Sequence, residues 1–271
     1  MTNSILLQQP GSIYGFIGEG GSGKTFSATL HAFELAEAMR AEYVVFNYSL
    51  DARQLQRYFA LVGYTWCLCL LRKNHILCRT AFTEVFDKSL KELVLKPDLA
   101  AFCQESNAVF VLDEMGIIGN AREWQGTSMA FLANLALARH SRRRLIWTAQ
   151  FYGQADKQVA ALTNTYILCS AWNRYNSKLQ APEMRFLFNR LYSAPDYQRI
   201  HKLADRLDNF KGFLYTLRKS KKTWFRGIDN LDHLLFSCFP SFNKFRGEEP
   251  TLINPLSVSY KKVSFHRNKL K

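Results

Sequence analysis

Long hydrophobic runs are missing from this sequence. Across its 271 residues no uncharged apolar stretch reaches the roughly 18 residues that a membrane-spanning helix needs. The nearest, YFALVGYTWCLCLL at 58–71, is closed off by Arg57 and Arg72. The opening MTNSILLQQPGS has neither a basic start nor a long apolar core, so no secretion signal is expected. The six cysteines show no C-x-x-C pair and no regular spacing, which reads as reduced thiols in a cytosol rather than a disulfide framework. Internal repeats and low-complexity tracts are also lacking, which excludes solenoids and disordered linkers as the main architecture.

Acidic residues are scarce in one part of the chain only. Residues 1–172 carry 16 basic and 14 acidic side chains, whereas 173–271 carry 20 and 8, so most of the net charge of +14 sits in the last third. The division suggests a near-neutral domain over 1–172 and a basic region over 173–271. A balance of this sign points to polyanionic partners, either nucleic acid or an anionic membrane surface.

An apolar share of 48% is ordinary for a soluble globular chain and supports a sizeable core. SIYGFIG (12–18) reads as a buried strand, 23–40 as a helix, and YVVFNYS (43–49) as a second strand. Residues 51–64 look helical, 65–78 fit strand or helix, and 80–95 have helical spacing up to the stop at Pro97. AVFVLDE (108–114), RLIWTAQ (144–150) and YILCSAW (166–172) are further strands. Between them lie a buried helix over 124–140 and a short one over 155–162. Strands alternating with helices imply an α/β fold of three layers, with a mostly parallel sheet covered by helices on both faces. Beyond 172 the expectation is a small basic α+β extension. It would hold a strand at 183–193, a helix at 196–210, a hairpin of FLYTL and TWFRG around RKSKK, and a poorly ordered tail.

The motif that carries chemistry is Gly18-Glu19-Gly20-Gly21-Ser22-Gly23-Lys24-Thr25, which fits G-x-x-x-x-G-K-[ST] between a strand and a helix. Gly18, Gly20, Gly21 and Gly23 let the backbone wrap so that N–H groups, with Ser22, face phosphate oxygens. The following helix brings its positive end to the same point. Lys24 would reach the β- and γ-phosphates, and the Thr25 hydroxyl would ligate Mg²⁺, making ATP and Mg²⁺ the expected cofactors. Asp113, at the end of VFVLDE, would hold the same Mg²⁺ through its water shell. Glu114 would then orient and deprotonate the attacking water. Gln150, ending the strand RLIWTAQ, either senses the γ-phosphate or begins a surface loop. Arg139, with Arg142, Arg143 and Arg144 after it, supplies an arginine finger to a neighbouring subunit, contacts DNA phosphates, or forms a solvated turn; Arg139 is the favoured finger.

Two further clusters stay open on sequence grounds. Cys67, Cys69, His75 and Cys78 are soft ligands in the metal-site sense, yet cysteine alternating with leucine also suits a buried strand. The last third interleaves basic and aromatic residues at Trp172, Arg174 and Tyr175, at 219–224 and at 261–266. Such interleaving suits nucleic-acid stacking, a solvated basic face or an anionic membrane surface.

The order of phosphate loop, strand ending in Asp-Glu, helix ending in ARH, strand ending in Gln, short helix and YIL resembles the FtsK–HerA superfamily of DNA-pumping P-loop ATPases. Within it, ARHSRRRLIWTAQFYGQADKQVAALTNTYIL is similar to two viral branches. These are the genome-packaging ATPases of tailless, membrane-containing viruses and the zonula occludens toxin-like assembly proteins of filamentous phages. The likeness covers residues 12–172. It implies nucleotide and Mg²⁺ at Lys24 and Thr25, Mg²⁺ at Asp113, Glu114 as base, Gln150 as sensor, and a ring, often a hexamer, with DNA through its centre. It further implies virion assembly in the host cytoplasm, beside a capsid or membrane-associated viral partner. Filamentous-phage proteins usually carry a membrane span after the ATPase domain, so its absence leans toward packaging of duplex DNA. The alternatives are phage assembly or export, and a nucleotide-dependent adaptor that does not translocate DNA.

Overall fold

The computed structural model describes residues 12–87, 92–118, 133, 137–138, 140–155, 157–176, 181–204, 209–239 and 250–253. In chain order the first elements are β1 (Ile13–Ile17), α1 (Lys24–Met39), β2 (Tyr43–Phe46), β3 (Leu50–Asp51), α2 (Ala52–Val62), α3 (Thr65–Arg72) and β4 (Ile76–Cys78). Then come β5 (Phe82–Asp87), β6 (Glu92–Pro97), α4 (Leu99–Phe102), β7 (Ala108–Leu112), α5 (Met115–Ile118), β8 (Arg144–Ala149) and α6 (Lys157–Leu162). The remainder is β9 (Thr165–Asn176), β10 (Ala181–Ser193), α7 (Ala194–Ala204), α8 (Asn209–Lys219), β11 (Lys222–Gly227), α9 (Asn230–Ser237) and β12 (Leu252–Ile253).

Eight strands form one sheet in the order β11-β10-β9-β1-β8-β7-β2-β4. From β9 to β4 all pairings are parallel, and β10 and β11 are added antiparallel at one edge. The expected α/β class holds. Strands β1 and β7 are buried along their whole length, as strands covered on both faces must be. Their alternate side chains feed two separate cores. Tyr14, Phe16, Val109 and Val111 join the cluster under α1, α2 and α3, while Ile13, Ile17, Phe110 and Leu112 join the one on the opposite face with α4 and α6. This gives three layers.

The sheet does not stop at residue 172. Strand β9 runs on to Asn176, and β10 returns beside it from Ala181↔Asn176 to Ser193↔Thr165. The expected strand at 183–193 is therefore part of the same sheet, and a buried Arg190 fixes it to α8 through the Thr216 hydroxyl at 2.7 Å. Burial lowers the affinity of that guanidinium for its proton.

Several local expectations are corrected. Within the helix expected over 80–95 the described residues are strands. Phe82–Asp87 pairs antiparallel with Glu92–Pro97, from Phe82↔Pro97 to Asp87↔Glu92. The apolar stripe that suggested a helix meets the core only at its start: Phe82 packs against it, while Phe86 and Leu93 are 58% and 63% exposed. Without packing a short helix is marginal, whereas Thr83, Val85 and Val94 suit a paired strand. Cys67 and Cys69 lie on the helix α3, not on a strand, and only Cys78 of that cluster is in β4. FLYTL belongs to α8, and TWFRG pairs with β10 rather than with it. The expected helix over 124–140 falls almost wholly outside the described residues, as does the tail from 254 onward.

At the centre of the sheet Gly15 of β1 lies against the Trp147 indole of β8, where an added Cβ would sit 2.5 Å from Cζ2. Trp147 is fully buried and donates from Nε1 to Thr163 Oγ1 at 3.0 Å, so it has no room to retreat. Gly15→Ala is expected to destabilise the fold by about 1–3 kcal/mol through overpacking, read as a lower urea midpoint at an unchanged denaturant slope.

Candidate nucleotide-binding site

The loop between β1 and α1 is built by glycines at positive φ, Gly21 at 76° and Gly23 at 78°. It closes with the Ser22 N–H donating to Glu19 O at 3.2 Å, and is tied to the sheet where the Gly18 N–H donates to Ala149 O at 3.2 Å. Gly23 is the N-cap of α1, and no side chain caps that helix end. Its first N–H groups therefore present an uncompensated positive pole. The buried Ser22 Oγ has no hydrogen-bond partner among the described atoms. An orphan hydroxyl inside a glycine cradle at a helix N-terminus fits a phosphate oxygen as its missing partner.

Lys24, Thr25, Asp113 and Glu114 converge at this loop. Lys24 is 5% exposed and its Nζ lies 3.3 Å from Glu114 Oε1. The Thr25 hydroxyl donates to Asp113 Oδ1 at 2.8 Å. A hydroxyl and a carboxylate in direct contact form the hard oxygen donor set that Mg²⁺ takes. Glu114 follows the buried Asp113 with φ at 57°, a left-handed conformation that costs a non-glycine residue about 1 kcal/mol. Its N–H is held by Thr148 Oγ1 at 3.0 Å. This kink turns the Glu114 side chain back toward Lys24 instead of continuing the strand direction.

Two residues that organise the site were not singled out from the sequence. Thr148 of β8 donates to the same Asp113 Oδ1 at 2.7 Å. Asn47, just past β2, clamps the Asp113 backbone on both sides: its Oδ1 accepts from Asp113 N at 2.7 Å and its Nδ2 donates to Asp113 O at 3.0 Å. The available signals were a hydroxyl inside an apolar strand and an amide ending YVVFN. Behind them Tyr48 shares a 2.6 Å hydrogen bond with Thr29, and burial, reinforced by the Asp113 charge, pushes its phenol well above the ordinary range.

The remaining candidates separate. Gln150 follows Ala149, the residue that holds Gly18, so its backbone is beside the loop; its N–H donates to Gln154 Oε1 at 3.0 Å and its side chain is exposed. Arg142, Arg143 and Arg144 lie at the other end of β8, and Arg143 donates to the carbonyls of Glu105 and Gln104 at 2.7 and 2.8 Å. That is a bracing role. Arg139 is outside the described residues. Cys67 donates to Phe33 O at 3.5 Å, burial raises its thiol pKa and pushes that of Cys78 up to about 12, and His75 bonds Glu42 O at 3.0 Å. Among the described residues no cluster of His, Cys, Asp and Glu is placed to hold a metal.

The basic extension also reaches the loop. A Cβ on Gly23 would collide with Leu187 Cδ2, with Met184 next, and one on Gly21 would approach Asn173 Nδ2 at 4.0 Å. Leu187 and Met184 of β10 and Asn173 of β9 thus wall one side of the cradle.

No family model matches the chain, and no curated protein does. Among solved structures it is similar to the genome-packaging NTPase B204 of Sulfolobus turreted icosahedral virus 2 in complex with AMP, at 16% identity and TM-score 0.38 over 64% of this chain and 81% of that one. It is similar to the N-terminal domain of zonular occludens toxin from Neisseria meningitidis, at 11% identity and TM-score 0.39 over 85% and 99%. The flagellar accessory protein FlaH from Methanocaldococcus jannaschii follows at 12% and 0.42 over 69% and 81%. The packaging and zonular occludens structures match the two branches that the sequence resembles. At these scores the chain's own topology and site geometry carry the reading.

Thr148→Val keeps the shape of β8 but leaves Asp113 short of a donor and the Glu114 N–H without its acceptor. The expected loss is about 1–3 kcal/mol of stability, measured by chemical unfolding, with Thr148→Ser restoring most of it.

Proposed function

We propose that this chain is a Mg²⁺-dependent ATPase that couples hydrolysis to the movement of DNA, of the kind that packages a viral genome. The observation that carries the ATPase reading is the convergence of Ser22, Lys24, Thr25, Asp113 and Glu114 on one uncapped helix terminus. The DNA reading is supported by the basic last third and by the way its strands wall the phosphate cradle.

In this mechanism the N–H groups at the start of α1, with Ser22, bind the phosphate chain. Thr25 and Asp113 would hold a Mg²⁺ ion, which when bound would supply positive charge to the phosphate chain. The γ-phosphate competes with Glu114 for Lys24 and so releases the Glu114 carboxylate. Glu114 then accepts a proton from the water that attacks the γ-phosphorus, while ADP departs with the electrons of the cleaved P–O bond. Asn47 and Thr148 hold the Asp-Glu turn still during this exchange. Gln150, directly after the residue that anchors Gly18, reports the state of the loop to the segment that follows. Arg139 is the finger offered to a neighbouring subunit of a ring.

Glu114→Gln is expected to bind ATP with near-native affinity while kcat falls by roughly 10²–10⁴, and Lys24→Ala to lose both binding and turnover. Steady-state hydrolysis paired with fluorescent-nucleotide titration separates the two effects. If Glu114→Gln hydrolysed ATP normally, the assignment of the base would be wrong.

Hydrolysis measured alone, with single-stranded DNA and with duplex DNA tests the coupling. Stimulation by either form supports a DNA motor, duplex pointing to packaging and single strands to assembly or export. Equal, unstimulated turnover in all three would replace the motor with a nucleotide-dependent adaptor.

A further inference from the structure

The face of β9, β10 and β11 that turns away from α1 carries a row of rings. On β9 the residues alternate: Cys169, Ala171 and Asn173 face the α1 side, so Ser170, Trp172 and Arg174 face the other way. Phe186 stands opposite Trp172, and Phe225 stands opposite Phe188 one step along. Trp172 and Phe186 stack with centroids 5.5 Å apart and planes 17° apart, and Phe186 stacks on Phe225 at 5.2 Å and 23°. Three near-parallel rings thus cross three strands. Both ends of the row are open to solvent, Trp172 at 62% and Phe225 at 55% exposure.

The charge around this row is mostly of one sign. By the same alternation Arg174 and Arg190 stand on the ring face, with Arg185 at the bulge beside Phe186 and the acidic Glu183 at the register position opposite Arg174, while Lys222 and Arg226 fall on the α1 side with Trp224. Arg190 and Arg226 are engaged within the fold by Thr216 and Asp232. Arg174 and Arg185 are exposed at the end of the strands where Trp172 and Phe186 stand. A second copy bringing the same face would set cation against cation. Planar end faces within a cationic field match an anionic chain of flat, unpaired bases.

We propose that Trp172, Phe186 and Phe225 form a stacking platform for single-stranded nucleic acid, whose bases prolong the ring row while Arg174 and Arg185 meet its phosphates. The proposal rests on the DNA-coupled ATPase reading, and by naming single strands as the nucleic acid it moves that reading from packaging toward assembly or export. It also explains a route for coupling. Trp172 is followed by Asn173, which faces Gly21, and Phe186 by Leu187, which packs on Gly23. The same two strands hold the bases on one face and the phosphate loop on the other.

The test is fluorescence anisotropy of a labelled oligo(dT) with the full chain, alongside sedimentation and ATP hydrolysis with and without that oligonucleotide. Trp172→Ala and Phe225→Ala are each expected to weaken binding about tenfold, with basal hydrolysis and oligomeric state unchanged. Trp172→Phe should retain most of the affinity. A 2-aminopurine probe should be quenched by the native chain and not by Trp172→Ala.

Native affinity in both alanine variants overturns the platform, and if DNA still stimulates hydrolysis in them the motor reading stands without it. Variants that change oligomeric state yet bind oligo(dT) normally assign the face to a second copy and also overturn it. A native chain whose turnover ignores DNA removes the motor reading instead, and the platform is then decided by the anisotropy alone.

Discussion

One carboxylate oxygen ties the site together. Asp113 Oδ1 accepts hydrogen bonds from Thr25 at the start of α1 and from Thr148 on β8, while Asn47 grips the Asp113 backbone from the end of β2. Segments that follow β1, β7 and β2 are thereby locked to β8 at one point. Hydrogen bonds to a charged, largely buried carboxylate contribute about 1.5–3 kcal/mol each, so the arrangement is stiff. The left-handed turn at Glu114 depends on that stiffness, because Thr148 also holds the Glu114 N–H. Without these anchors the residue would relax toward the β region and its carboxylate would leave Lys24.

The strand order explains why this point exists. β8 lies between the phosphate-loop strand β1 and the Asp-Glu strand β7. In a parallel sheet all carboxyl ends share one side, which is where open α/β folds place their ligands. Inserting one strand sets the base and the loop a strand further apart, with Thr148 reaching the Asp-Glu turn and Ala149 the loop. Gln150 gains its place beside Gly18 for the same reason.

The antiparallel edge gives the loop its outer wall. Gly23 is pressed on by Leu187, so a side chain there would meet strain from its positive φ and from β10 at once. The basic third of the chain is therefore part of the cradle's support, joined through a continuous sheet. Its other face is where the exposed rings stand, and the two faces belong to the same rigid strands.

The α/β class, the phosphate loop and the Asp-Glu strand end were legible in the sequence, because a glycine-rich turn and a buried apolar run are local properties. The helix expected over 80–95 was a misreading because its spacing does not mark a buried face, Phe86 and Leu93 being exposed, and pairing with a second strand is not a local property. The thiol cluster was ambiguous for a related reason: Cys67 and Cys69 are helical, and only packing against α1 shows it. Asn47 and Thr148 left only faint local signals, since Asn47 grips the backbone and Thr148 the carboxylate of Asp113, 66 and 35 residues away. Thus the sequence by itself determined which groups can bind phosphate and a hard cation. The tertiary structure alone decided that β8 stands between the two motifs and that β10 closes the loop, because those contacts join residues whose proximity is created only when the sheet forms.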